Sequence, residues 1–152
     1  MPVKIRLSRH GKKHNAYYHI VVADSRAPRN GKFIEVIGDY NPNTNPATIN
    51  LNHQKAMDWL TKGAQPTDTC RAILSYKGVM YHNHLMKGVA KGALTAEQAE
   101  AKIQQWLQEK AVKVDDKKKR ISSAAQKSAE ARHADEQKRK EAKLEAIRAK
   151  NT

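Results

Sequence analysis

The chain has 152 residues, enough for one ordinary domain and an appendage. It carries 29 Lys and Arg against 15 Asp and Glu, a formal charge of +14 with a pI near 10.0, so it repels itself and attracts polyanions. A lone cysteine excludes an intrachain disulfide or a cysteine-based zinc site, and no apolar run approaches the roughly 20 residues needed to span a bilayer.

Met1-Pro2-Val3-Lys4 passes straight into a charged strand pattern, so no leader segment is expected and the chain reads as soluble and cytoplasmic. Val3, Ile5 and Leu7 alternate with Lys4, Arg6 and Ser8, a period of two that predicts a strand with one core face and one cationic face. Tyr17 to Ala23 is β-rich and apolar on both faces, as in a central strand. Phe33 to Ile37 predicts a third strand, and a short fourth falls around Thr48–Leu51. Between the second and third, residues 24–32 carry Pro28 and Asn30-Gly31 and read as a turn-rich loop. Two short helices follow, His53–Lys62 capped by Asn52 and Asp68–Tyr76 capped by Thr67, with Gly63 and Gly78 ending them. Cys70 falls in the second and reads as a small helix residue, not a nucleophile.

Residues 79–112 begin with a stretch punctuated by Gly88 and Gly92. A helix then opens at Thr95, where Gln98 three residues on completes a capping-box pattern. Its stripe of Ala99, Ile103, Trp106 and Leu107 predicts packing on the domain or a neighbour, with Trp106 in that role and not in base stacking. From residue 113 onward Ala, Lys, Glu, Gln and Arg dominate, and beyond Ile121 only Leu144 and Ile147 are large and apolar. A helix polar all round buries no face, so this tail is expected to be helical or disordered and to need a partner. Residues 1–92 hold +9 of the charge and the remainder +5, so charge is denser in the part that reads as folded. Strands first and helices afterwards predict an α+β fold: a small, largely antiparallel sheet with two short helices on one face. An added helix and the basic helical or disordered tail follow. The expected divisions are 1–78 as an α+β core, 79–112 as an extension with an amphipathic helix, and 113–152 as a basic tail.

Cations cluster at the strand ends. Lys4 and Arg6 lie on the outer face of the first strand, and Arg9, His10, Lys12, Lys13 and His14 crowd the turn after it. Arg26, Arg29, Asn30 and Lys32 occupy the next loop. Arg suits bidentate phosphate contact and Lys point-charge contact, and a rigid sheet edge behind them suits folded RNA. The bland reading of any one of these cations is a solvated surface charge; the cluster is what argues for a polyanion. Few aromatics argue against recognition by stacking on single strands. Tyr18 is assigned to the core, while Tyr17 and Tyr40 are left open. Lys117, Lys118, Lys119 and Arg120 form a second, accessory cationic run in the tail.

Four blocks of sequence are specific: Ile5-Arg6-Leu7-Ser8-Arg9-His10-Gly11, Val21-Val22-Ala23-Asp24-Ser25-Arg26, Arg29-Asn30-Gly31-Lys32-Phe33-Ile34-Glu35, and Gly38-Asp39-Tyr40-Asn41-Pro42. In this order and spacing they resemble the bacterial small-subunit ribosomal protein sixteen family, and the likeness continues loosely to about Tyr76. Asn30 stands where an Asp is common in that family. The resemblance implies direct binding of small-subunit ribosomal RNA, early entry into subunit assembly, and neighbouring ribosomal proteins as further partners. It implies no enzymatic activity, catalytic residue, cofactor, metal, small-molecule substrate, membrane contact or homo-oligomer. Nothing functional carries over to the half beyond Gly78.

Three rival readings are weaker. Asp24, Glu35 and Asp39 could hold a divalent metal for phosphodiester cleavage if they converged within about 5 Å in an open cleft; capping and pairing with nearby cations is the simpler account. His82 and His84, if on one strand face, could bind a metal, but no cysteine or acidic residue is close in sequence. A nucleoid-type DNA-binding role rests on charge and the Lys-rich tail alone.

Overall fold

A computed structural model describes residues 2–150, and within the last helix the side chains of Ile147, Arg148 and Lys150 are not among what it describes. The end of the expected tail segment, residues 151–152, and the side chain of Ile147 therefore lie outside the described residues. Strands β1 (Val3–Lys12), β2 (Asn15–Asp24), β3 (Glu35–Asn41), β4 (Thr48–Leu51) and β5 (Gln65–Pro66) form one sheet in the order β4-β3-β2-β1-β5. All pairings are antiparallel except the short parallel contact of β5 with β1. The fold is α+β, as the strand-then-helix order predicts.

The β1–β2 register is set by the turn. Lys12 pairs with Asn15 across the two-residue loop Lys13–His14, in which His14 takes a left-handed φ of 63°. Gly11 has φ 84°, and a Cβ there would collide with the Asn15 carbonyl oxygen, so the hairpin tip needs glycine at that position. Counting back from the turn pairs His10 with Tyr17, Ser8 with His19, Arg6 with Val21 and Lys4 with Ala23. These eight residues share the outer face, because cross-strand partners point the same way.

The inner face carries the core. Ile5, Ile20, Val22 and Ile37 pack against Ala56 and Met57 of α1 (His53–Thr61), and against Cys70, Ile73 and Leu74 of α2 (Asp68–Tyr76). Asn52 caps α1 with its side-chain oxygen on the Lys55 N–H at 3.1 Å, whereas Thr67 precedes α2 without a side-chain capping bond. Cys70 is buried in this core, which raises its thiol pKa and leaves it a packing residue. Tyr40 packs on the same core and Tyr18 stands beside it with ring centroids 6.0 Å apart, while Tyr17 lies on the outer face.

Two boundaries differ from the sequence reading. The third strand starts at Glu35, not Phe33, and continues to Asn41. Phe33 and Ile34 are exposed, so their hydrophobicity marks no core strand. The stretch after Gly78, to which the sequence reading assigned no element, is a helix, α3 (Val79–Ala90). The reading missed it because a polar residue, Asn83, takes one of its buried positions and Gly88 interrupts its propensity. His82 and His84 consequently sit on a helix, two residues apart, and do not share a face.

Helix α4 (Ala96–Lys150) opens on the predicted capping box: Gln98 N–H donates to Thr95 Oγ at 3.3 Å, and Thr95 N–H to Gln98 Oε1 at 3.5 Å. Its first turns place Ala99 and Ile103 against Leu85 of α3, with Tyr81, Val89 and Leu94 around them. Trp106 lies against Gly78 and 6.1 Å from the Tyr81 ring, the packing role expected of it, whereas Leu107 is exposed. The chain divides into two compact units, one ending at Glu109 and one beginning at Lys110. The second unit is the continuing helix, and its side chains are almost all exposed.

Helices α1 and α3 are joined by a histidine pair, His53 Nε2 to His82 Nδ1 at 2.8 Å. One neutral ring must accept for the bond to exist. Burial, and secondarily the charge of His82, hold the His53 pKa below its ordinary value near 6.5. A base with a depressed folded-state pKa contributes stability that is present above its unfolded value and lost as pH falls through the folded one. We therefore expect the melting temperature to fall from pH 7 to pH 5 more steeply in the native chain than in a His53→Gln chain. Equal slopes would remove the pair from the pH dependence.

Candidate nucleic-acid interface

The β2–β3 connection, residues 25–34, crosses the outer face and is fastened to it at three points. Arg6, projecting from β1, donates from Nη1 to the Ala27 carbonyl at 2.6 Å and from Nη2 to the Pro28 carbonyl at 2.7 Å. The Asn30 side-chain oxygen accepts the Arg9 backbone N–H at 3.0 Å and the Arg29 Nε–H at 3.3 Å. The Ile34 N–H returns to the Val22 carbonyl at 2.7 Å. Val21 and Ala23 face outward yet are buried, and the fastened loop accounts for it.

This lacing fixes the cation-bearing loop to β1. One Asn30 oxygen joins the Arg9 backbone N–H of β1 to the Arg29 guanidinium of the loop, while the Arg9 guanidinium reaches the Lys12 carbonyl through Nη2 at 3.4 Å. Lys12, Lys13 and His14 stand exposed on the adjoining turn, and Arg26, Arg29, Asn30 and Lys32 are at the surface along the loop. Lys4 is exposed but separate: eight residues from Lys12 on the same strand, it lies roughly 26 Å away at about 3.3 Å per residue. Arg6 differs from the rest, since its guanidinium is spent on loop carbonyls and its Nε is buried without a partner among the described residues. Lys117, Lys118, Lys119 and Arg120 are exposed on the second unit, with Lys118 3.7 Å from Asp115.

Sequence reasoning missed a polar network beside the loop. His10 lies tilted against His19 with centroids 4.4 Å apart and meets Ser8 Oγ through Nε2 at 3.3 Å. His19 Nδ1 lies 2.5 Å from Asp39 Oδ1, and Tyr17 stands edge-on to the His19 ring. Partial burial and the Asp39 carboxylate raise the Tyr17 pKa. The network was within reach of the sequence: once the two-residue turn fixes the register, Ser8, His10, Tyr17 and His19 fall on one face.

The three carboxylates of the nuclease reading belong to separate contacts. Asp24 accepts the Arg26 N–H at 2.9 Å, closing the loop entry. Glu35 accepts the Trp59 indole N–H at 2.7 Å and pairs with Lys55 at 2.7 Å, which together hold its pKa down. Asp39 serves His19. Among the described residues no three His, Cys, Asp or Glu side chains are grouped to hold a metal ion. No helix of the described residues is long and apolar enough to cross a membrane.

A sheet with helices on one face, a laced cationic loop on the other and its carboxylates engaged in structural contacts defines a basic α+β protein. The family model for ribosomal protein S16 matches residues 9–67. The small ribosomal subunit protein bS16 of Flavobacterium johnsoniae is 61% identical over 124 residues, covering 82% of this chain and 66% of that protein. Its namesake from Porphyromonas gingivalis is 57% identical over 125 residues, 82% of this chain and 65% of that protein. The one from Cytophaga hutchinsonii is 51% identical over 150 residues, 99% of this chain and 86% of that protein. The chain belongs to the ribosomal protein S16 family, and it spans just under two thirds of the first two relatives.

Proposed function

We propose that the chain is a structural constituent of the small ribosomal subunit that binds folded small-subunit rRNA through the laced loop and the β1–β2 turn, supporting subunit assembly and translation. It is not an enzyme. The observation that carries this reading is the single Asn30 oxygen that ties the cation-bearing loop, through Arg29 Nε–H, to the β1 backbone at the Arg9 N–H. Cations carried on a fastened loop leave less backbone to be ordered when a phosphate arrives, and each phosphate neutralised releases counterions. Residues 1–78 act as the RNA-binding core and 79–112 as a packing extension. Residues 113–152 act as an accessory cationic segment through Lys117, Lys118, Lys119 and Arg120. The protein works as one copy in the cytoplasm, on the ribosome, beside neighbouring ribosomal proteins.

Arg9→Glu with Arg29→Glu is the direct test, because both side chains are at the surface and neither is needed in the core. The doubly reversed chain is expected to keep its melting temperature within a few degrees and to stop co-sedimenting with small subunits at moderate salt. Normal incorporation would place recognition elsewhere.

A further inference from the structure

On the side of the first unit where α1, α2 and α3 meet the edge strand β5 there is a cleft of about 450 Å³ that the RNA reading does not use. Its volume lies in the range of roughly 300–1,000 Å³ typical of small-ligand sites. Leu60, Met80 and Pro66 supply apolar walls, and Arg71 and Lys87 supply cations from α2 and α3. Neither cation has an ion-pair partner among the described residues. Asn83 lines the cleft from α3 and is only 9% exposed. Its amide makes no hydrogen bond to another described residue, so its polar atoms are open to a ligand from the cleft.

This unbonded amide offers both donors and an acceptor, which matches the edge of a nucleobase. Apolar walls suit the base faces, and two unpaired cations suit one phosphate. A carboxylate ligand would use the cations but leave the amide and the apolar walls unmatched. We propose that this cleft receives one unstacked nucleotide, its base against Leu60, Met80 and Asn83 and its phosphate at Arg71 and Lys87. The inference extends the RNA reading to a second contact. Shape and charge recognition at the loops would then be joined by capture of a single base at a separate place on the first unit.

The same chemistry is offered by a nucleotide within RNA and by a free nucleotide, so the test has two arms. In the first, the full ¹⁵N-labelled chain is titrated with the four nucleoside 5′-monophosphates and with inorganic phosphate. In the second, it binds two RNA hairpins that differ only in one unpaired, bulged nucleotide. Asn83→Leu keeps the volume and removes the amide, and its melting temperature is recorded alongside; Arg71→Gln with Lys87→Gln is a second variant at solvent-facing positions. The expected result is that at least one nucleotide shifts the backbone amide signals of Leu60, Ala64 and Met80 more than phosphate does, or that the bulged hairpin binds at least tenfold tighter than the paired one. Both variants are expected to abolish that difference. An effect confined to the hairpins identifies RNA as the source, and one confined to monophosphates identifies a free nucleotide. The cleft proposal is overturned if neither variant changes either arm, or if inorganic phosphate binds as well as every nucleotide. Arg9→Glu with Arg29→Glu separates the two readings: it is expected to weaken both hairpins equally and to leave the monophosphate titration unchanged.

Discussion

Gly78→Ala is expected to destabilise the first unit by about 3 kcal/mol, read as a shift of the urea midpoint. Two costs combine at this residue. Gly78 has φ 82°, and forcing an L side chain into that region costs roughly 1–2 kcal/mol. The new Cβ would also lie 2.6 Å from Cζ3 and 3.0 Å from Cε3 of Trp106, and overpacking of that kind costs about 1–3 kcal/mol. Gly63 separates the terms, since it has φ 89° and a methyl group there would meet nothing within 4 Å. Gly63→Ala should therefore show the backbone cost alone. Combining Gly78→Ala with Trp106→Leu should recover part of the overpacking loss, so that the two changes are not additive. Equal effects at Gly63 and Gly78 would mean that Trp106 does not press on the α2–α3 junction.

Arg6→Met is expected to cost a similar amount, about 3 kcal/mol, by a different route. Each bond from a charged donor contributes roughly 1.5–3 kcal/mol, and solvent reaches the Pro28 carbonyl and offsets part of that loss. The damage should concentrate in residues 25–34, which the guanidinium fastens to β1. Trypsin gives a direct readout, because Arg26, Arg29 and Lys32 are at the surface on that loop. Cleavage there should accelerate at least tenfold in Arg6→Met, and Arg6→Lys, which supplies charge without the fork, should fall between. An unchanged melting temperature and cleavage rate would return Arg6 to the group of free surface cations. The outcome also decides how an RNA-binding defect in an Arg6 variant is interpreted: a loosened loop scatters Arg29 and Asn30 even where Arg6 itself touches no phosphate.

Much of the fold was legible because it rests on local rules. Alternation at Val3, Ile5 and Leu7, the Asn52 cap and the Thr95–Gln98 box each carry their signal within a few residues. The start of β3 was misplaced because Phe33 and Ile34 resemble a strand by composition, while their position is decided by the fastening of the loop at Arg6 and Asn30. Helix α3 was missed because Asn83 sits where a helical pattern calls for a hydrophobic residue. At the site, the charges of Arg9, Arg29 and Lys32 could be read directly, but their arrangement could not. The bonds that organise them join residues more than twenty positions apart, from Arg6 to Ala27 and from Arg9 to Asn30. Pattern within a window contains no trace of such pairs.

The two-residue turn at Lys13–His14 has a consequence for how this chain can change in length. Strand residues alternate faces, so inserting one residue into β1 would carry Arg6, Ser8 and His10 inward and expel Ile5 and Leu7. Indels in the first hairpin are thus tolerable only in pairs or within the turn. No such parity governs the helix beyond Lys110, whose exposed side chains owe nothing to a buried face. The fold allows that end to be lengthened or trimmed residue by residue, while the hairpin requires a fixed count.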